Sequence, residues 1–98
     1  MITKVSDIKI EDVKNYIRIS ENLDSYEQNY LRTILKVSID YIKNQTGLED
    51  LDEYSDLVIV VFVLCQDMYD NRSLYVDKNN VNKVVSSILN SHSNNLLW

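Results

Sequence analysis

The sequence contains one glycine and no proline in 98 residues, and this feature constrains the fold more than any motif does. Tight turns and all-β folds depend on glycine and proline for special backbone angles, so the sequence favours helices. Hydrophobic residues make up 45% of the chain and charged residues 26%, close to the average of soluble globular proteins. We therefore predict a single domain over residues 1–98, with a flexible N-terminus at 1–8 and a C-terminal tail at 92–98.

The longest apolar run is Leu57–Cys65, nine residues that read LVIVVFVLC. A helix needs about 20 residues to cross a bilayer, so we expect a soluble protein. The β-branched and aromatic residues of this run favour a strand by propensity. However, no other segment is typical of a strand, and a lone strand leaves its backbone groups unpaired. We predict a central helix over 54–74, whose remaining apolar face, at Ile59 and Val63, is available to another subunit.

The second helix has the clearest end signals. Asp24 and Glu27 are spaced as in a capping box, in which each side chain bonds the other residue's backbone N–H. Gly47 suits the left-handed position that ends many helices. Apolar residues at spacings of three and four predict further helices at both ends of the chain. The predicted fold is all-α, a small bundle of about four helices over 10–19, 25–45, 54–74 and 80–91.

The sequence offers few groups for catalysis. The one histidine, His92, and the one cysteine, Cys65, lie in different predicted elements, so they form no zinc set. The acidic stretch 48–56, LEDLDEYSD, lacks the glycine of an EF-hand calcium loop. We instead expect one of its polar residues to cap the central helix: Asp52, Glu53 or Ser55. We predict no catalytic residue, no cofactor-binding site and no metal site, and hence a protein that is not an enzyme.

The net charge of −5 argues against a surface that grips nucleic-acid phosphates. The first residues lack the apolar core of a secretory signal, so we expect the protein to stay in the cytoplasm of the producing cell.

A competing interpretation is a small helical regulator or antitoxin-like protein that binds DNA or a partner protein. Its weak support is the helix predicted at 80–91, which has Lys78 and Lys83 near its start. A structural domain with an unknown partner is a third interpretation.

The sequence closes with an apolar triplet, Leu96, Leu97 and Trp98. Exposed apolar groups of this size are usually covered, so the triplet either folds back on the core or anchors in a partner. Both interpretations remain open.

Several short segments occur in a familiar order: IEDVKNYIRI at 10–19, YIKNQTG at 41–47, DMYDNRS at 67–73, and a short last helix. In this order they resemble the gene-product-six-like head-tail connector proteins of tailed phages and prophages. That family typically has VKxYLR in the first segment, YTG or QTG at the end of the second, and an aromatic residue followed by ENR or DNR in the third. The matching positions are Val13, Lys14, Tyr16, Arg18, Thr46, Gly47, Tyr69, Asn71 and Arg72.

The chain departs from the family pattern at two places. Family members often have a proline at the start of the third helix and another before the fourth. This chain has Tyr54 near the first place and Asn79 or Asn80 near the second. Because a proline at the start of a helix only presets a backbone angle, its absence affects the predicted helix boundaries more than the fold.

The resemblance implies a structural adaptor. Copies of such a protein assemble as a ring, twelvefold in the virion, beneath the portal after DNA packaging. The ring extends the DNA channel and docks the stopper or tail-completion protein, and DNA passes through without specific binding. This places the protein in the virion neck, and in the host cytoplasm during assembly, with no membrane and no cofactor. The candidate interface residues are Ile59, Val63, Leu96, Leu97 and Trp98.

Overall fold

A computed structural model describes residues 2–19, 24–76 and 83–92. Over these residues the chain is helical and contains no strand. A 3₁₀ turn at Val5–Asp7 is followed by α1 (Ile10–Ile17), α2 (Ser25–Thr46), α3 (Asp56–Asn71) and α4 (Lys83–His92). The predicted small all-α bundle of four helices is therefore confirmed.

Helix α2 has the two predicted end signals. Asp24 Oδ1 accepts a hydrogen bond from the Glu27 backbone N–H at 2.8 Å. Gly47 adopts the left-handed conformation, with φ of 73°, and its N–H donates to the Lys43 carbonyl at 2.9 Å. The reciprocal bond from the Glu27 side chain to Asp24 is replaced by an ion pair between Glu27 and Arg72. The Glu27 carboxylate, which would have completed the capping box, is therefore paired with Arg72 at the end of α3.

Helices α1 and α3 end earlier than the predicted 19 and 74. Each is followed by an arginine in the left-handed conformation, Arg18 with φ of 69° and Arg72 with φ of 51°. A left-handed residue stops the helical path, which explains both early ends. Residues 80–82 of the predicted fourth helix lie outside the described residues, and its last residue is His92 rather than 91.

The predicted cap of α3 is wrong. Ser55 occupies the capping position but makes no side-chain capping bond. The Asp52 carboxylate instead accepts hydrogen bonds from Ser6, from its backbone N–H at 2.9 Å and from its hydroxyl at 2.6 Å. These two bonds lower the pKa of Asp52. The acidic stretch therefore holds the 3₁₀ turn against the start of α3.

Helix α3 is the centre of the bundle, as predicted, because α1, α2, α4 and the 3₁₀ turn all pack against it. It runs antiparallel to α2, so that Glu27 lies beside Arg72 and Ser38 beside Cys65. Seven of its side chains are buried: Leu57, Val58, Val60, Val61, Leu64, Cys65 and Met68. The apolar run that favoured a strand by propensity is thus stabilised as a helix by tertiary packing.

The first residues contribute to the same core. Val5 and Ile8 are 3% and 7% exposed, although the sequence predicts flexibility over 1–8. Val5 lies in the 3₁₀ turn and Ile8 directly follows it, and both join the cluster of buried side chains that includes α3. Residues 5–8 are therefore part of the packed bundle.

Candidate functional site

One cluster of motif residues joins the beginning of α2 to the end of α3. Arg72 donates from Nη1 to Glu27 Oε1 at 2.8 Å and from Nη2 to Glu27 Oε2 at 3.2 Å. Its guanidinium carbon also lies 5.1 Å from the centre of the Tyr30 ring and 4.7 Å from that of Tyr69. The arginine is therefore held by an ion pair and two cation–π contacts at once.

Tyr30 also connects this cluster to the backbone at the end of α3. Its hydroxyl lies 3.0 Å from the Met68 carbonyl oxygen and 2.9 Å from that of Ser73, and it donates to these two acceptors. The Met68 carbonyl also accepts from the Ser73 backbone N–H at 3.0 Å, and Ser73 follows the end of α3. The Tyr30 hydroxyl therefore fastens α2 to the turn that ends α3. Burial raises the pKa of Tyr30, and the hydrogen bond to Glu27 raises that of Arg72. Both shifts favour the forms that make these contacts, the neutral phenol and the charged guanidinium.

The other motif positions also serve the fold. Val13 is fully buried, and Tyr16 stacks on Phe62 with ring centres 5.1 Å apart. Thr46 donates from its hydroxyl to the Ile42 carbonyl at 2.7 Å and accepts from the Leu48 N–H at 3.2 Å.

Two further motif residues are tied to their own helices. Asn71 donates to the Asp67 carbonyl at 3.0 Å, and the Lys14 carbonyl accepts from the Ile19 N–H at 3.1 Å. The motif positions in α1 thus stay apart from the Arg72 cluster, and Tyr69, Asn71 and Arg72 gather at the end of α3. Sequence reasoning missed Glu27 and Tyr30 as members of the cluster.

An apolar groove, which we call the α1–α3 groove, opens between α1, the first residues and the exposed side of α3. Its volume is about 320 Å³, and it is lined by Ile2, Tyr16, Ser55, Val58, Ile59 and Phe62. Ile59 is 47% exposed and Tyr16 is 38% exposed, which is high for large apolar side chains. Val63, the second predicted interface residue on α3, is half-buried and does not line this groove. Leu96, Leu97 and Trp98 lie outside the described residues.

The one cysteine and the one histidine of the sequence both contact polar side chains. Cys65 is buried, and its sulfur lies 3.4 Å from the Ser38 hydroxyl oxygen. His92 was expected in a polar tail, but it is the last residue of α4, and its Nε2 lies 2.8 Å from Asp56 Oδ2.

Within 2–19, 24–76 and 83–92, no three histidine, cysteine or acidic side chains are placed to share a metal ion. In the same ranges no helix is both long enough and apolar enough to cross a bilayer.

We predict that Cys65 reacts with thiol reagents only when the protein unfolds. Burial raises the pKa of its thiol to about 11, so about one thiol in a thousand is ionised at pH 8. An unfolded cysteine, with a pKa of about 8.5, is about one quarter ionised at pH 8. Because the thiolate is the nucleophile, labelling by a maleimide should be slower by at least about 200-fold than in an unfolded peptide. Mass spectrometry of samples quenched at timed intervals, with and without urea, measures both rates. Equal rates in the two samples would contradict the buried position of Cys65.

The chain was also compared with known proteins. No protein-family model matches it, and no curated protein or solved structure shows significant similarity to it. The resemblance to phage connectors therefore continues to depend on the motif positions within this sequence. In the described residues Val13 is buried, Tyr16 stacks on Phe62, Arg18 and Gly47 end helices, and Tyr69 and Arg72 belong to the Arg72 cluster.

Proposed function

We propose that this protein is a structural head-tail connector of a tailed phage or prophage. In this role its copies assemble as a ring beneath the portal after DNA packaging, extend the DNA channel and dock the stopper or tail. The proposal starts from the order and spacing of the motif segments. It is supported by the all-helical fold, in which the first segment contains α1 and the next two segments end α2 and α3.

The observation that carries the proposal is the outward face of α3. Ile59 is exposed, Val63 is half-buried, and Asp70 is exposed further along the same side. The first half of a central helix thus presents apolar surface where a monomer would usually have polar residues. A ring joins two different faces of each copy, so such a surface suits the contact between neighbours.

The charge of the chain supports the same role. A connector has to let DNA slide through its channel, and a negative wall repels phosphates where a basic wall would bind them. The chain has a net charge of −5, and α4 carries only Lys83 and His92 as basic side chains. This composition gives little support to a recognition helix for DNA.

We expect Val63→Asp to prevent ring assembly. A carboxylate on the apolar face of α3 would have to be buried without a partner when two copies meet, which is strongly unfavourable. Native mass spectrometry of the protein mixed with the portal protein of the same phage or prophage measures assembly. The wild type should give a ring mass, and the variant should remain unassembled.

Val37→Asp is the matched control, because Val37 is also a half-buried valine that packs against the core, but it lies on α2. Circular dichroism establishes that both variants keep their helices. If a folded Val63→Asp protein still assembled, the α3 face around Val63 would not be part of the contact between neighbouring copies. Tight, salt-sensitive DNA binding in a mobility-shift assay, with no assembly on portal, would favour the regulator and contradict the connector.

A further inference from the structure

The α1–α3 groove is a concave apolar surface near the start of α3. Val58 and Phe62 line it from α3, and its lining also includes Ile59 and Tyr16, which are 47% and 38% exposed. A groove of this composition suits large aliphatic or aromatic side chains rather than a charged ligand. An apolar occupant would therefore remove the exposed part of this lining from water.

A second exposed apolar surface follows the opposite end of α3. Leu74 and Tyr75, which we call the Leu74–Tyr75 bend, are 53% and 66% exposed. Hydrogen bonds hold this segment in place: the Ser73 hydroxyl donates to the Tyr75 carbonyl at 3.3 Å, and the Ser73 carbonyl accepts from the Tyr30 hydroxyl at 2.9 Å. Because the backbone is already fixed, the two apolar side chains are presented with little further loss of entropy on binding.

The bend cannot fill the groove of its own chain. The stretch of α3 from Ile59, in the groove, to Asn71, its last residue, is about 18 Å long. The Tyr30 hydroxyl holds the bend at the far end of this stretch through its bonds to the Met68 and Ser73 carbonyls. A contact between the two surfaces therefore joins two copies of the chain.

We propose that the α1–α3 groove of one copy receives Leu74 and Tyr75 of the next copy. The two surfaces differ, so the contact is heterologous and can be repeated around a ring. Val63 lies one helical turn beyond Ile59 on the same side of α3, so the same contact covers it. The inference rests on the proposed connector function and names the surface that meets its α3 face.

The size of the contact suits a ring better than a free dimer. The two exposed apolar side chains of the groove and the two of the bend present on the order of 400 Å², since a large aromatic side chain has about 150–250 Å². Stable protein interfaces bury about 1,200–2,000 Å² in total. Two isolated copies therefore associate weakly, whereas each copy in a closed ring makes the contact twice.

Cross-linking between introduced cysteines tests the contact in the isolated protein, because a covalent link captures a weak association. Ile59→Cys and Leu74→Cys proteins, mixed and treated with a short bis-maleimide, should give a dimer on denaturing gels, and each protein alone should give little. A protein that carries both changes should give a ladder of dimers, trimers and longer products. The wild type is the control for Cys65, which is buried and should not react.

Thr33→Cys is the matched control for Leu74→Cys, since Thr33 is exposed on α2 and does not line the groove. Its mixture with Ile59→Cys should give no more dimer than Ile59→Cys alone. Adding Tyr75→Asp to the Leu74→Cys protein should abolish the dimer, because a carboxylate would have to enter the apolar groove without a partner. Circular dichroism establishes that each variant is folded.

Absence of the dimer between folded Ile59→Cys and Leu74→Cys proteins would overturn the inference. A strong dimer of Ile59→Cys alone would also overturn it, because two grooves would then face each other. If either result were found while Val63→Asp still prevented assembly on the portal, the connector would stand and only the bend would be rejected as its contact. A ladder from the isolated protein without assembly on the portal would support the contact and reject the connector.

Discussion

Ile34→Ala is expected to lower the free energy of unfolding by about 2–5 kcal/mol. Ile34 is fully buried in α2 and belongs to the core cluster that includes the central helix α3. Removing its side-chain carbons loses buried apolar surface and leaves a cavity that the neighbouring helices fill only in part. A domain of this size has about 5–15 kcal/mol of stability in total, so the loss is a large fraction. Urea unfolding followed by circular dichroism measures it.

The next residue provides the control for this change. Leu35 is half-buried, so Leu35→Ala should cost clearly less, because part of that side chain already contacts solvent. Comparable losses for the two variants would indicate that Ile34 is not at the centre of the core. If the free energy of unfolding depended less steeply on urea concentration in a variant, the substitution would have changed the compactness of the folded or unfolded state rather than the packing alone.

Gly47→Ala is expected to destabilise the protein by about 1–2 kcal/mol. Gly47 ends α2 with φ of 73°, where a β-carbon collides with the following backbone. The same substitution at a position with negative φ would stabilise the protein by restricting the unfolded chain, so the sign of the effect tests the conformation. Thermal and urea unfolding measure the change.

Asparagine is the graded control at this position, because it tolerates the left-handed conformation better than alanine. Gly47→Asn should therefore lie between the wild type and Gly47→Ala in stability. A neutral or stabilising Gly47→Ala would show that α2 continues through residue 47.

Much of the fold could be predicted from local sequence, because the strongest signals are periodic. The paucity of glycine and proline excludes most β folds, and Asp24 and Gly47 mark the ends of α2 by their own chemistry. The ends of α1 and α3 could not be predicted in this way. Arg18 and Arg72 adopt positive φ, which is uncommon for residues other than glycine and asparagine, so no local signal precedes them.

The candidate site could be predicted only in part, because its contacts join residues that are distant in sequence. The motif positions include Arg72 and Tyr69, but no local pattern in the sequence indicates that Glu27 pairs with Arg72, 45 positions away. The antiparallel arrangement of α2 and α3 is what brings these two residues together. The sequence predicts that the Glu27 side chain caps its own helix. In the structure this side chain instead accepts charge-assisted hydrogen bonds from Arg72, which also makes two cation–π contacts.

The antiparallel pairing of α2 and α3 also has a consequence for the order of folding. These two helices are consecutive, and the short connection at 47–55 brings them together at little cost in loop-closure entropy. Contacts between near neighbours in sequence form quickly, so we expect this hairpin to assemble early. All the residues that it needs precede α4, so the hairpin can form before the last helix packs against it.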